Sequence, residues 1–318
     1  MRRITLWLSV LFWGVASATA ADCDDWNREV FFETATVEVV NGCLETGADL
    51  KTRDEGGHTP LHVAAQWSES AAVVSALLEA GADPNAGDKW DYTPLHKAAM
   101  WNDNTAVLSA LLAAGANPKA RNHPGDTPLH LAVRPAAVSV LLEAGADPQS
   151  RDRGGSTPLH SVARYGRYHA AISILLGAGA DPNARDEYGR TPLHEAAGSC
   201  HSTGVVVALL RAGADPGIEE RNGSTPLEYA VGSKCNPAVI YALIAAGADP
   251  NQRTPGGQTL LHVAVKGRPD PAVIRALLDA GADASLPNES GKLPWDSVRH
   301  NLELRGTDVY RHLRRARK

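Results

Sequence analysis

Histidine is the residue type in this chain best suited to acid–base or metal chemistry, and it returns at a nearly fixed interval. Six copies follow Thr-Pro-Leu or its variant Thr-Leu-Leu: His62, His96, His130, His160, His194 and His262. An imidazole can bind a metal ion or exchange a proton near neutral pH. One histidine in each repeated segment cannot converge on a single metal ion, because neighbouring copies lie about one segment apart. We therefore predict a structural role, in which each ring bonds threonine or backbone groups of successive segments.

No other constellation in the sequence predicts a reaction centre. Cys200, His201 and Cys235 lack a fourth ligand at suitable spacing, which disfavours a zinc site. We find no Ser/His/Asp set and no phosphate-binding glycine loop outside the repeats. Asp-Pro pairs such as Asp83-Pro84 are typical of turns. We assign no catalytic residue, no metal and no cofactor, and we predict that the protein is not an enzyme.

The four cysteines predict disulfide bonds, for which three connectivities are possible. Cys200 and Cys235 fall at nearly equivalent places in adjacent repeats, so we predict that they pair if the two turns lean together. Cys23 and Cys43 would then staple the N-terminal end. The alternative for the second pair is that Cys43 is a buried apolar residue and Cys23 a free thiol.

The elements that position these residues are repeats of one pattern. Thr-Pro-Leu-His begins at Thr59 and returns every 34 residues, except for one step of 30 between Thr127 and Thr157. Threonine caps a helix and proline fits its first position, so a helix starts at each copy. A second apolar helix follows and ends at a glycine such as Gly81. A polar segment of turn formers then predicts a hairpin-like finger.

The repeated Thr-Pro-Leu-His-x-Ala motif resembles that of ankyrin repeats, and the resemblance covers about residues 22 to 318. It implies an all-α solenoid of stacked helix pairs with β-turn or hairpin fingers. The predicted organisation is a capping repeat at 21–55, seven repeats over 56–289, and a basic capping repeat at 290–318. We expect the first cap to begin with a helix from Trp26 to Thr34, and the last cap to carry an apolar stripe that includes Leu302. The seven repeats start near residues 56, 90, 124, 154, 188, 222 and 256.

The resemblance also implies a partner-binding surface made of finger tips and the ends of first helices. Mapped onto this chain, its candidate residues are Trp67, Trp90, Tyr92, Met100, Trp101, Tyr165, Arg185, Tyr188 and Arg190. Exposed aromatic residues are typical interface anchors. The alternative is that the tryptophans pack between fingers or against the turns that join the helices. For the recurring arginines, Arg53, Arg121, Arg151, Arg185 and Arg253, we predict an ion-pair ladder with neighbouring aspartates such as Asp54; an anion-binding site is the alternative.

The first 20 residues resemble a secretory signal peptide, with a basic start, an apolar run and small residues before a cleavage site between Ala20 and Ala21. A membrane anchor is the competing interpretation, but the run is shorter than the roughly 20 residues that span a bilayer. The chain carries a net charge of −5, while residues 290–318 hold eight Lys and Arg against three Asp and Glu. The acidic repeats disfavour nucleic acid as a ligand.

Together these features predict a monomeric binding scaffold in the periplasm or outside the cell, with a protein partner and no stable membrane insertion. Two alternatives remain open. One is a secreted effector that binds proteins of a host or another cell. The other is a regulatory or protective subunit of a periplasmic enzyme.

Overall fold

The computed structural model describes Cys23 and residues 26–165, 168–199 and 203–317. The predicted signal peptide at 1–20, its cleavage site and Cys200 lie outside the described residues. Within them the chain forms helices that alternate with turns. In chain order the helices are α1 Glu29–Thr34, α2 Val37–Glu45, α3 Pro60–Trp67, α4 Ala71–Glu79, α5 Pro94–Trp101, α6 Thr105–Ala113, α7 Pro128–Leu131, α8 Pro135–Glu143, α9 Pro158–Tyr165, α10 His169–Gly177, α11 Pro192–Ser199, α12 Thr203–Arg211, α13 Pro226–Gly232, α14 Pro237–Ala245, α15 Leu260–Val265, α16 Pro271–Asp279, α17 Pro294–Val298 and α18 Asp308–Arg315.

Each repeat begins its first helix with the cap that the sequence predicts. Thr59 has extended backbone angles (φ −85°, ψ 165°), Pro60 is the first helical residue, and the His62 side chain completes a capping box. The same arrangement recurs at Thr93. Threonine therefore fixes where each odd-numbered helix of the repeats starts, because it satisfies N–H groups that have no partner inside the helix.

The core runs along the stack and has no single centre. First helices pack on the first helices of the neighbouring repeats, and second helices do the same. Small buried residues such as Ala64 and Ala65 let the two helices of a repeat approach closely, while Val74 and Leu77 of α4 fill the layer between repeats. Burial of this kind contributes roughly 25 cal/mol per Å² of apolar surface, so each repeat depends on its neighbours for stability.

The fingers are closed turns that touch one another. Asp54 N–H donates to His58 O at 3.1 Å and closes the first finger. Gly57 at its tip has φ +82°, and a Cβ atom there would lie 2.9 Å from the backbone nitrogen of Lys89. Glycine is required because the next finger leaves no space for a side chain. Across the described residues the pairing of extended backbone is limited to an isolated bridge between Arg253 and Thr259.

The 30-residue step shortens one helix. α7 has four residues, against eight in α3, α5, α9 and α11. Pro135 starts α8 directly after the turn that contains Arg134. About one helical turn is missing, as the sequence predicts, and the row of first-helix ends therefore has a gap at this repeat.

The two ends of the stack differ from the predictions in detail. Cys23 and Cys43 form a disulfide with Cα atoms 5.6 Å apart. The first helix of the N-terminal cap was expected from Trp26 but begins at Glu29, because Trp26 instead turns inward and packs on Phe31 and Phe32.

At the C-terminal end we expected Leu302 in the last apolar stripe, and that prediction is wrong. Leu302 is 77% exposed because it lies in the turns between α17 and α18. Leu304, Val309 and Leu313 are buried there. The predicted bond between Cys200 and Cys235 stays a prediction, because Cys200 is outside the described residues. Cys235 itself is buried, and its Sγ lies 2.9 Å from Ala197 O.

Candidate partner-binding surface

The recurring histidines join repeats and are fully used for that purpose. His62 Nδ1 accepts from Thr59 N–H at 3.1 Å, so Nε2 carries the proton and donates to Tyr92 O in the next repeat at 2.9 Å. The same bond links His96 to Asp126, His130 to Ser156, His160 to Arg190, His194 to Ser224 and His262 to Lys292. Burial lowers the pKa of His62 and of His96 to about 4. Each ring is neutral and buried and forms hydrogen bonds through both nitrogens, so we assign these histidines a structural role.

The arginine row does not form the predicted ion-pair ladder. Arg53 Nη1 donates to Gly57 O at 2.6 Å and to Gly87 O of the next finger at 2.8 Å. Arg121, Arg151 and Arg185 likewise donate to carbonyls of the following finger. The aspartates are used elsewhere, since Asp54 accepts from the backbone N–H groups of Gly56 and His58. Two carbonyls satisfy one guanidinium without the cost of desolvating a carboxylate.

Trp67 and Trp101 share one groove. They are the last residues of α3 and α5, and their side chains are 36% and 54% exposed. The tryptophan groove encloses about 450 Å³ and is lined by Gln66, Trp67, Ser68, Glu69, Trp101, Asn102, Asp103 and Asn104. A second groove on the other side of Trp67 includes Asn27, Glu29, Glu55, His58 and Val63. Two tryptophans thus present apolar area to solvent at places where the core does not need them.

A polar network holds the floor of the tryptophan groove. Asn102 Nδ2 donates to Ala65 O at 3.0 Å and to Ser68 O at 2.9 Å. Asn104 Nδ2 donates to Glu69 O at 2.7 Å. Arg134 of the shortened repeat donates to Asn102 O at 2.9 Å and pairs with Asp103 at 3.0 Å. The turns that carry both tryptophans are therefore fixed before any ligand arrives, which lowers the entropic cost of binding.

Trp90, Tyr92 and Met100 lie near this region but outside the residues that line the groove. Trp90 is on a finger, is 61% exposed and packs edge-on against His123, with ring centroids 6.0 Å apart. Tyr92 and Met100 are half-buried. Tyr92 packs on His96, and the ammonium of Lys97 lies 4.7 Å from the centroid of the Tyr92 ring. Of these three residues, Trp90 offers the largest exposed ring.

A buried carboxylate supports the finger that carries Trp90. Asp88 Oδ1 accepts from the backbone N–H groups of Trp90 at 2.8 Å and Tyr92 at 3.0 Å. Its Oδ2 pairs with Lys97 at 2.8 Å and with His58 at 3.2 Å. Burial alone would raise the pKa of Asp88, but these hydrogen bonds and the Lys97 charge lower it below its ordinary value. Asp88 therefore stays ionised and holds the finger.

The remaining candidates surround a set of paired charges that we call the arginine cluster: Arg164, Asp186, Arg190 and Glu195. Arg190 pairs with Asp186 at 2.8 Å and with Glu195 at 3.1 Å. Arg164 forms two hydrogen bonds with Glu195, at 2.9 and 3.1 Å. Arg190 also lies 4.9 Å from the ring centroid of Tyr188. Its guanidinium is thus occupied within the chain, as is that of Arg185 by Glu219 O.

Tyr165 and Tyr188 are the exposed aromatic residues of this second region, each 59% exposed. Tyr165 ends α9, the position that Trp67 and Trp101 hold in their helices. The shortened α7 separates Tyr165 from the two tryptophans. Sequence reasoning missed the supporting residues Asn102, Asn104, Arg134 and Glu195. Their only signal was polarity just after, or just inside, a first helix.

Among the described residues, no set of three or more histidines, cysteines or carboxylates is arranged to hold a metal ion. None of the helices described has both the length and the apolar character needed to cross a bilayer. The grooves named above are open to solvent, and within them Asp103 pairs with Arg134 and His58 pairs with Asp54. These features define a surface for contact with another molecule.

The fold and this surface define the class of helical-repeat solenoids that present a binding face. A family model described as ankyrin repeats, in three copies, matches residues 72–152, 135–220 and 199–288. The chain belongs to the ankyrin-repeat family. A solved structure similar to it is the ankyrin repeat domain of Bcl-3, a unique member of the IkappaB protein family. That domain is 31% identical, with a TM-score of 0.53, and the match covers 68% of this chain and 96% of that chain. No curated protein is significantly similar to the chain in sequence.

Proposed function

We propose that this protein is a non-catalytic, monomeric scaffold that binds another protein outside the cytoplasm, with the tryptophan groove and Trp90 as its main contacts. The observation that supports this proposal is the exposure of Trp67, Trp90 and Trp101 on a pre-ordered frame. Large rings on rigid supports bury much apolar area on contact while losing little side-chain entropy.

Charge suggests which partner segment fits the surface. Residues 26–126 hold 14 Asp and Glu against seven Lys and Arg. Glu69 and Asp103 line the tryptophan groove, and no basic side chain does. A segment with apolar and cationic side chains suits this environment, because a cation is attracted both to the carboxylates and to the face of an indole ring. Tyr165 extends the row of helix ends beyond the gap left by α7.

The proposed compartment rests on the apolar, signal-like sequence at residues 1–20 and on the disulfide between Cys23 and Cys43. Disulfides persist where the environment is oxidising, as in the bacterial periplasm or outside the cell. A protease-protection assay of the tagged protein in its own cell, with separate analysis of the medium, tests this placement. Protein found in the cytoplasm with residues 1–20 still attached would contradict this placement.

The binding proposal is tested by changing Trp90 and Trp101 together to alanine. Wild-type protein is used to capture a partner from periplasmic extract under non-reducing conditions, and the purified partner is then titrated calorimetrically. We expect the double variant to bind more than about tenfold more weakly, because interface tryptophans typically contribute ~2 kcal/mol or more. Thermal unfolding should change little, since both rings are more than half exposed.

Tyr241 provides the matched control, because it is an exposed ring (42%) on the second helix α14, away from the proposed surface. Tyr241→Ala should leave the affinity unchanged. The proposal is wrong if the tryptophan variant loses stability and affinity to the same extent, or if Tyr241→Ala weakens binding as much.

A further inference from the structure

Four kinds of hydrogen bond recur between neighbouring repeats. The histidine link runs from the third residue of a first helix to a carbonyl of the next finger, as from His62 to Tyr92 O. The tip link joins backbone atoms of two finger tips, as from Lys89 N–H to Gly56 O at 3.1 Å. The arginine link runs from a finger arginine to the next finger, as from Arg53 to Gly87 O. The amide link joins a side-chain amide to the next repeat, as from Asn85 to Gly115 O at 2.9 Å.

Most joints between repeats carry several of these links. The joint between α11 and α13 has all four. His194 donates to Ser224 O, Arg221 N–H to Tyr188 O, Arg185 to Glu219 O and Asn183 to Gly213 O. The joint between α9 and α11 also has all four, through His160, Glu187 N–H, Arg151 and Gln149. The helix pairs on both sides of these joints are thus tied at four places besides their apolar packing.

The joint between α13 and α15 has none of the four, and the sequence itself removes them. Glu228 stands in place of the histidine, and Glu219 in place of the arginine. Gly217 stands in place of the asparagine. Pro255 occupies the finger tip, where it has no N–H to donate to the preceding finger. Four independent positions have changed at the same joint.

Other contacts replace these links only in part. Gln252 Nε2 donates to Thr225 Oγ1 at 2.6 Å, and Tyr241 donates to Asp279 at 3.2 Å. Lys234 also donates to Arg268 O. Lys234 and Tyr241 have exposed side chains, so their bonds compete with water. The Oε2 atom of Glu228 is buried without a hydrogen-bond partner, and burial raises the pKa of this carboxyl group.

We propose that the α13–α15 joint is a hinge that separates the chain into two cooperative segments, one ending at α14 and the other starting at the finger before α15. The C-terminal segment, which includes the basic helix α18, can then detach or change its angle while the preceding repeats stay stacked. In a solenoid, stability is a sum of repeat and nearest-neighbour terms, so the joint with the fewest links opens first.

Hydrogen–deuterium exchange of the full chain, followed by mass spectrometry, tests the hinge. We expect amides of α15 and α16 to exchange at least about tenfold faster than those of α13 and α14, because a whole set of interfacial bonds is missing between them. The change should be a step at this joint. A gradual rise in rate from α11 towards the C-terminus would contradict the proposal, because it would indicate ordinary fraying.

Substitution with residues that the other repeats use separates the hinge from fraying. The variant Gly217→Asn, Glu219→Arg, Glu228→His and Pro255→Arg rebuilds the four links. It should slow exchange in α15 and α16 by about tenfold and remove the step. A step that persists in this variant would overturn the proposal. Circular dichroism verifies folding, and Glu228→His alone, with an expected slowing of about threefold, serves if the fourfold variant does not fold.

The converse variant is the matched control. Gln149→Gly, Arg151→Glu and His160→Glu remove three links from the fully tied joint between α9 and α11, which no predicted disulfide crosses. A new step in exchange should appear there, with faster exchange on its C-terminal side. No new step would show that these links do not control opening, and the hinge assignment would be wrong.

Discussion

The region around Trp67, Trp90 and Trp101 and the region around Arg190 are built on the same repeat frame but use it differently. At the tryptophans, polar side chains bond the backbone beneath, and the rings are left exposed. At the arginine cluster, cations and carboxylates neutralise one another, both within one repeat and between α9 and α11. Equal frames thus yield one face with unused apolar area and another whose charges are satisfied internally. The difference indicates where binding energy is available.

Low pH is expected to have the largest effect, because it lowers the stability of the repeat framework that both regions share. The pKa of His62 and His96 is lowered to about 4, against an ordinary value near 6.5. An unfolded histidine therefore binds a proton at pH 5 while the folded one does not. Stability is unaffected above about pH 6.5 and falls as the pH drops towards 4, by about 2 kcal/mol for each of these two residues at pH 5.

Urea unfolding at pH 7 and pH 5 measures this loss. His62→Gln keeps a side chain with a donor and an acceptor at the capping-box position but does not titrate. The variant should lose about 2 kcal/mol less than the wild type between the two pH values. An equal loss in both proteins would contradict the assignment of the buried neutral ring.

Asp88 and Asp186 sharpen the comparison, because they hold equivalent places in the two regions. Each accepts two backbone N–H groups of its own finger, and each pairs with a cation. Replacement of either by alanine should lower the free energy of unfolding by roughly 3 kcal/mol, since two backbone N–H groups lose their acceptor and a half-buried cation loses a carboxylate partner. Chemical denaturation measures both losses.

Binding should distinguish the two aspartates. Only Asp88→Ala is expected to lower the affinity for the captured partner, by about tenfold, because only this carboxylate holds the finger that carries Trp90. The affinity of Asp186→Ala should stay within about twofold of the wild type. A similar weakening in both variants would place the partner across both regions and would show that the two regions do not differ in binding.

Arg134 and Arg164 give the smallest expected effect. Arg134→Ala removes the bond to Asn102 O and the pair with Asp103 at the edge of the tryptophan groove. Arg164→Ala removes the exposed pair with Glu195. Both should cost about 1 kcal/mol of stability or less, because both guanidinium groups are in contact with water. Calorimetric titration should show a loss of affinity of about threefold for Arg134→Ala and none for Arg164→Ala, provided that the floor of the groove must be rigid.

Local signals in the sequence were sufficient to predict the repeated frame. The capping threonines, Pro60 and its counterparts, and the glycine after each second helix act through backbone conformation, which depends little on context. The cross-repeat role of the histidines followed from their number and spacing. Even the loss of one turn at α7 could be located from the 30-residue step and Pro135.

Contacts between side chains of different repeats could not be predicted in the same way. Arg53 was assigned to Asp54, its neighbour in sequence, but the finger geometry brings two carbonyls closer to the guanidinium. Asn102 was not singled out, because its partners at Ala65 and Ser68 become visible only once two turns are stacked. Leu302 was placed in the core by its apolar character, although the local turn directs it to solvent.

The shortened third repeat makes the positions along the stack unequal, whereas in a perfectly periodic stack they would be equivalent. If every step were the same, an elongated ligand could shift by one period and find almost equivalent contacts. The four-residue α7 lies between Trp101 and Tyr165 and occurs once along the row. A ligand that contacts aromatic rings on both sides of it has a single register, because any displacement would bring the gap to the wrong place. The loss of about one helical turn therefore gives an otherwise repetitive surface a single binding register for an elongated ligand.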